Sequence, residues 1–87
     1  MPDLKDLSLY HKAYCPFCRK VREAMKTMNL DIALVDVDDD RSAYQMLVQE
    51  GGRSMVPCLR IDHGNGKVEW MYESDDIIHY LRKNFAS

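Results

Sequence analysis

The sequence has no apolar run approaching the ~20 residues that span a bilayer. It has no basic excess either. Twelve lysines and arginines stand against 14 aspartates and glutamates, a formal net charge of -2, whereas nucleic-acid binding needs a basic face. Met1 to Tyr10 lacks a basic region followed by an apolar core, so no secretory signal is expected. Repeats, low-complexity tracts and linkers are missing. Cysteine is scarce: three residues in a reducing compartment do not make a disulfide framework. These absences lead us to expect a cytoplasmic protein with no membrane partner and no nucleic-acid partner; a monomer is expected, though nothing in the residues bears on oligomeric state.

What is present fits one small domain, residues 1–87. Hydrophobic residues are 46% and charged residues 30%, an ordinary globular balance. "LSLYH", Leu7 to His11, alternates apolar positions and predicts a strand. A helix should run from Pro16 to about Met28, with Phe17, Val21, Ala24, Met25 and Met28 on its apolar face. Arg19, Lys20, Arg22, Glu23 and Lys26 fill the other face. "DIALVDV", Asp31 to Val37, reads as a second, buried strand. Ser42 followed by Gln45 fits a capping box for a second helix, which Gly51-Gly52 ends. Met55 to Ile61 and Lys67 to Tyr72 read as strands joined by a turn at Asp62 to Gly66. Ser74 is expected to cap a last helix, with Asp75 and Asp76 favourable to its dipole and Ile77, Ile78, Leu81 and Phe85 as its buried stripe.

The order is therefore β-α-β-α-β-β-α. Strands joined by a helix should run parallel with a right-handed crossover, and the last two should form a hairpin. The expectation is an α/β fold: a mixed four-stranded sheet flanked by three helices. "CPFC", Cys15 to Cys18, then falls just past the first strand, where open α/β sheets place their sites.

Cys15 stands where a helix cap would. Unpaired N–H groups and the positive dipole end favour its thiolate, and Lys12 can add charge. In such motifs the reactive thiol falls from about 8.5 to roughly 3.5–7.5. Cys18, one turn further in, would keep an ordinary thiol and could resolve a mixed disulfide on Cys15. A metal reading needs two more ligands; Cys58, His11 and His63 are the candidates, and none forms a second pair. Two inert core thiols is the third reading. Cys58 itself reads as a small buried residue.

Several motifs together resemble a dithiol glutaredoxin over nearly the whole chain. "KAYCPFC" is similar to the family's Lys-x-x-Cys-Pro-Tyr-Cys, with Phe17 for tyrosine. "GGRSMVP" is similar to the segment ending Thr-Val-Pro, with Met55 for threonine. "SDDI" is similar to the acidic start of the last helix. One departure is Tyr72-Glu73, where the family has Gly-Gly. Glu73-Ser74 instead resembles the γ-glutamyl-binding pair of glutathione S-transferase N-terminal domains, which share the thioredoxin fold.

The resemblance implies a thioredoxin-like fold with a cis bond before Pro57. It implies a glutathione–disulfide oxidoreductase of cell redox homeostasis, with Cys15 as nucleophile and Cys18 resolving. Glutathione is the co-substrate; disulfide-containing or glutathionylated proteins are the partners. No tightly bound cofactor and no metal are expected. A binding site follows on physical grounds. The Val56 backbone beside Pro57 can pair with the tripeptide's amide. The helix start at Ser74 and Asp75 suits its γ-glutamyl carboxylate. Glu73 or Asp75 can accept the α-amino group, and Lys12 the glycyl carboxylate. Tyr14 and Phe17 are either ligand walls or rim aromatics. Two alternatives stand beside this: an iron–sulfur cluster carrier, and a glutathione-binding module without reductase activity.

Overall fold

The alternation of apolar residues in β1 decides the layering. Leu7 and Leu9 point to one side of the sheet and Tyr10 to the other. The computed structural model describes residues 2–85. After a 3-10 turn, Leu4–Asp6, come β1 (Leu7–His11), α1 (Pro16–Thr27), β2 (Ala33–Asp36), α2 (Arg41–Gly51), β3 (Cys58–Gly64), β4 (Lys67–Tyr72) and α3 (Ser74–Phe85). The sheet order is β2-β1-β3-β4. β1 and β2 are parallel; β3 runs antiparallel to both β1 and β4. This is the expected thioredoxin-like arrangement.

Two cores result. On one face Leu7, Leu9, Leu59 and Ile61 meet Val21 and Met25 of α1 and Ile77 and Leu81 of α3. On the other, Tyr10 and Cys58 meet Ala43 and Leu47 of α2. Leu9 and Leu59 are register partners with no exposed surface. Truncating either to alanine would cost about 2–5 kcal/mol. A domain of this size holds only about 5–15 kcal/mol in all.

Five expectations are corrected. The second strand is not buried: β2 is an edge strand, Ala33 and Leu34 are exposed, and burial falls on the flanking Ile32 and Val37. Asp40, not Ser42, caps α2, its side chain accepting from Ala43 N at 3.1 Å. Ser42 lies one residue inside the helix and donates to Asp40 instead, at 3.0 Å. β3 begins at Cys58, because Pro57 lacks a ladder N–H. Phe17 does not join the buried stripe; it is 62% exposed, in the first turn, while Cys18, Val21 and Met25 carry the burial. Ser74 does not cap α3. The helix's first bond runs from Ile77 N to the Glu73 carbonyl, at 3.0 Å, so the boundary lies one residue earlier.

The end of α2 is tied to the end of β4. Gly52 closes the helix in the left-handed region, at φ 89°. The Tyr72 hydroxyl accepts from Arg53 N at 3.2 Å and donates to the Arg53 carbonyl at 3.1 Å. It reaches there across Gly51, where a Cβ would stand 2.3 Å from that oxygen and 3.3 Å from the Trp70 ring. Glu73 follows at once.

Candidate active site

Cys15 is the N-cap of α1, with extended backbone at φ -81°, ψ 121°, and Pro16 next in the first turn. Proline there loses no hydrogen bond and fixes the helical φ. The Cys15 amide donates to the Lys12 carbonyl at 3.3 Å, and Arg19 N donates to the Cys15 carbonyl at 2.9 Å. The sulfur is thereby held at the helix N-terminus, half-buried.

The two thiols are set apart by their surroundings. Burial pushes Cys15 up, but the groups around it outweigh burial. The Cys18 backbone N–H, the Cys18 thiol, the Phe17 backbone N–H and the Arg22 guanidinium together hold it below the usual cysteine range. The thiol form makes no regular cap hydrogen bond. The N–H groups of Phe17 and Cys18 act as dipoles, and favour the ionised sulfur most. Cys18 has no exposed surface, and burial pushes it up to about 11, with Cys15 adding to the rise. Cys58 is buried on the α2 face, and burial pushes it up to about 12. Of the three thiols, Cys15 alone is lowered, and the other two are raised.

Lys12 was expected beside Cys15. Its ammonium lies 3.9 Å from Asp38 in an exposed ion pair, and the cation that acts on the sulfur is Arg22. Arg22 resembled a solvated helix residue in the sequence. It is half-buried, with Nη1 2.9 Å from His11 Nδ1. Its spacing from Cys18, one helical turn, was the available signal.

Beside Cys15 a cleft of about 230 Å³ is lined by Phe17, Lys20, Met55, Val56, Pro57, Glu73, Ser74 and Asp75. Six of the eight expected ligand-site residues thus meet in one place. Lys12 and Tyr14 do not line it, and Tyr14 is 95% exposed. Lys20 and Met55 are additions, and Lys20 pairs with Asp75. The Val56–Pro57 peptide is cis. Glu73 sits at φ 73°, in the left-handed region that favours glycine. That explains why the glutaredoxin pattern carries glycine there. Here a glutamate holds a left-handed backbone and lines the cleft. Ser74 is buried behind it. Among the described residues no group of three or more His, Cys, Asp or Glu could hold a metal ion, and no helix is long and apolar enough to cross a membrane.

The model of the glutathione S-transferase N-terminal domain family matches residues 9–87. The chain belongs to that family. Glu73-Ser74, the pair that resembles the transferase domain in sequence, sits at a left-handed turn into α3. The chain is also similar to an uncharacterized glutaredoxin-like 8.6 kDa protein of the rubredoxin operon of Clostridium pasteurianum. They are 32% identical over 56 residues, 64% of this chain and 75% of that protein. Among solved structures it is similar to the Leishmania trimeric glutathione transferase TDR1, 31% identical with a TM-score of 0.73. That match covers 92% of this chain and 17% of the Leishmania chain. Glutaredoxin C1 of Populus tremula x tremuloides, in its holo form, matches at 19% identity and a TM-score of 0.68, over 92% of this chain and 77% of that one. At that identity the likeness speaks for the fold alone. The matched span, residues 9–87, includes Cys15 and Cys18.

Proposed function

We propose that this domain is a glutathione-dependent thiol–disulfide oxidoreductase acting on protein disulfides and glutathione mixed disulfides. One observation carries the reading: within one motif, Cys15 is held below the usual thiol range while Cys18 is pushed up to about 11. The Cys15 thiolate attacks a substrate sulfur; the old S–S bond breaks and one thiol leaves. From a protein disulfide, Cys18 then attacks the mixed disulfide. A Cys15–Cys18 disulfide forms and the reduced protein departs. Two glutathiones restore the dithiol and become glutathione disulfide. From a glutathionylated protein, glutathione alone resolves Cys15. A potential of about -200 to -230 mV suits this exchange.

The cleft supports glutathione as the donor. The α3 N-terminus at Ser74 and Asp75 offers N–H groups to the γ-glutamyl carboxylate, and Glu73 or Asp75 accepts its ammonium. Val56 presents backbone to the cysteinyl amide. Phe17 and Met55 give apolar walls. Lys12 does not line the cleft; to meet the glycyl carboxylate it has to leave its exposed pair with Asp38, which is worth only about 0–1 kcal/mol.

The test is a coupled assay with glutathione, glutathione reductase and a small mixed disulfide. Cys15→Ser should abolish turnover. Cys18→Ser should keep it, and lose reduction of protein disulfides. Turnover by Cys15→Ser, or equal loss in both variants, would overturn the assignment. A second reading is favoured by Glu73-Ser74 and the family they follow: a module that binds glutathione without turning it over. Calorimetric binding with no coupled activity would select it.

A further inference from the structure

The segment that carries Cys15 is gripped from behind by one side chain. Arg22 projects from the second turn of α1 and makes contacts with three successive residues. Its Nη1 lies 2.9 Å from His11 Nδ1 and 3.3 Å from the Lys12 carbonyl oxygen; its Nη2 lies 3.2 Å from the Ala13 carbonyl oxygen. A guanidinium has donors only. The His11 Nδ1 therefore accepts, and the ring proton sits on Nε2. The Lys12 carbonyl that receives Arg22 also receives the Cys15 amide, at 3.3 Å. His11 is itself anchored: it is buried, and its carbonyl accepts from Val37 N at 3.1 Å. Helix, strand end and nucleophile are joined through one fork.

We propose that Arg22 is the positioning residue of the nucleophile: its fork fixes residues 11–13 so that the Cys15 sulfur stays against the N–H groups of Phe17 and Cys18. The proposal rests on Cys15 being the nucleophile, but not on glutathione being the donor. Geometry separates it from plain charge attraction. A lysine at this position keeps the charge and loses the planar, many-donor fork. The titratable and charged groups acting on Cys15 are Cys18 and Arg22; those acting on His11 are Arg22 and Asp36.

The experiment measures carbamidomethylation of the full, reduced chain by iodoacetamide between pH 4 and 9, with Cys15 modification read by peptide mass. Arg22→Gln should raise the midpoint of the pH–rate profile by about one unit, slowing the reaction at pH 6 about tenfold. Arg22→Lys should recover less than half of that loss. Full recovery by lysine would reduce the effect to charge and overturn the proposal. So would an unmoved midpoint in a folded Arg22→Gln variant, which would leave Arg22 a packing residue. If Arg22→Gln fails to fold, His11 carries the test. His11→Ala removes one arm of the grip and should move the midpoint upward, while His11→Asn, which keeps an acceptor near the Nδ1 position, should restore it. Identical profiles for those two variants would overturn the proposal. Because the probe contains no glutathione, failure of the glutathione reading leaves this result intact.

Discussion

The Cys15 sulfur lies 3.9 Å from the carbonyl oxygen of Val56, a residue 41 positions further along the chain. A thiol can donate to that oxygen; a thiolate cannot. Ionisation of Cys15 therefore leaves the Val56 carbonyl free to accept from another donor.

Selective labelling checks the ranking of the thiols. At pH 7 a group with a pKa of 11 is ionised to about one part in ten thousand. One equivalent of iodoacetamide should modify Cys15 and spare Cys18, pushed up to about 11, and Cys58, pushed up to about 12. An early adduct on Cys18 or Cys58 would contradict the ranking.

Ser74→Ala isolates the hydroxyl. Ser74 lies in the first turn of α3 and is not its cap, so alanine should leave the melting temperature nearly unchanged. A hydrogen bond to a charged ligand group is worth about 1.5–3 kcal/mol. Use of glutathione should therefore weaken roughly tenfold or more, while dithiothreitol reduces the variant normally. Unchanged glutathione kinetics would leave the hydroxyl without a role in binding.

Glu73→Gly should stabilise the fold. The left-handed conformation costs a non-glycine residue roughly 1–2 kcal/mol. Glycine removes that cost but adds about 0.5–1 kcal/mol of chain entropy. The net gain is about 0.5–1 kcal/mol, read as a melting temperature several degrees higher. A lower melting temperature would show that the Glu73 side chain supports the fold rather than the cleft.

Stability should depend on His11 in mild acid. Burial first, and Arg22 second, hold His11 below the usual histidine value of 6.5. The unfolded chain then binds the proton more tightly than the native one. The His11 contribution is complete above pH 6.5 and is lost as pH falls toward the lowered native value. Thermal melts between pH 7.5 and 5 should show this decline, and His11→Asn should flatten it. A His11→Asn curve parallel to the wild type would remove His11 as the cause.

The elements with strict patterns were legible in the sequence. β1 and β4 fall on Leu7–His11 and Lys67–Tyr72 as expected, because alternation fixes both face and length. The Cys15–Cys18 placement followed from Pro16, which starts a helix well and continues one poorly. Caps were harder. Asp40 and Ser42 are both good caps, and only the position of the first hydrogen bond chooses between them. Arg22 was hidden for another reason. A helical arginine reads as solvated unless one knows that a loop folds back against it. Glu73 gave no signal of its left-handed backbone, since glutamate is not a residue that favours it. What the sequence withheld was mostly set by contacts between distant segments.

Gly51 does no chemistry, yet it narrows what drift in this sequence can reach. A single methyl there would push the Tyr72 oxygen, and Tyr72 is joined directly to Glu73. The cleft therefore inherits a constraint from a helix end on the opposite face of the sheet. Variants selected for new substrates would meet that constraint at Gly51 as well as at the lining residues. A laboratory library that spares this position would lose fewer of its members to a displaced Tyr72 than one that varies it.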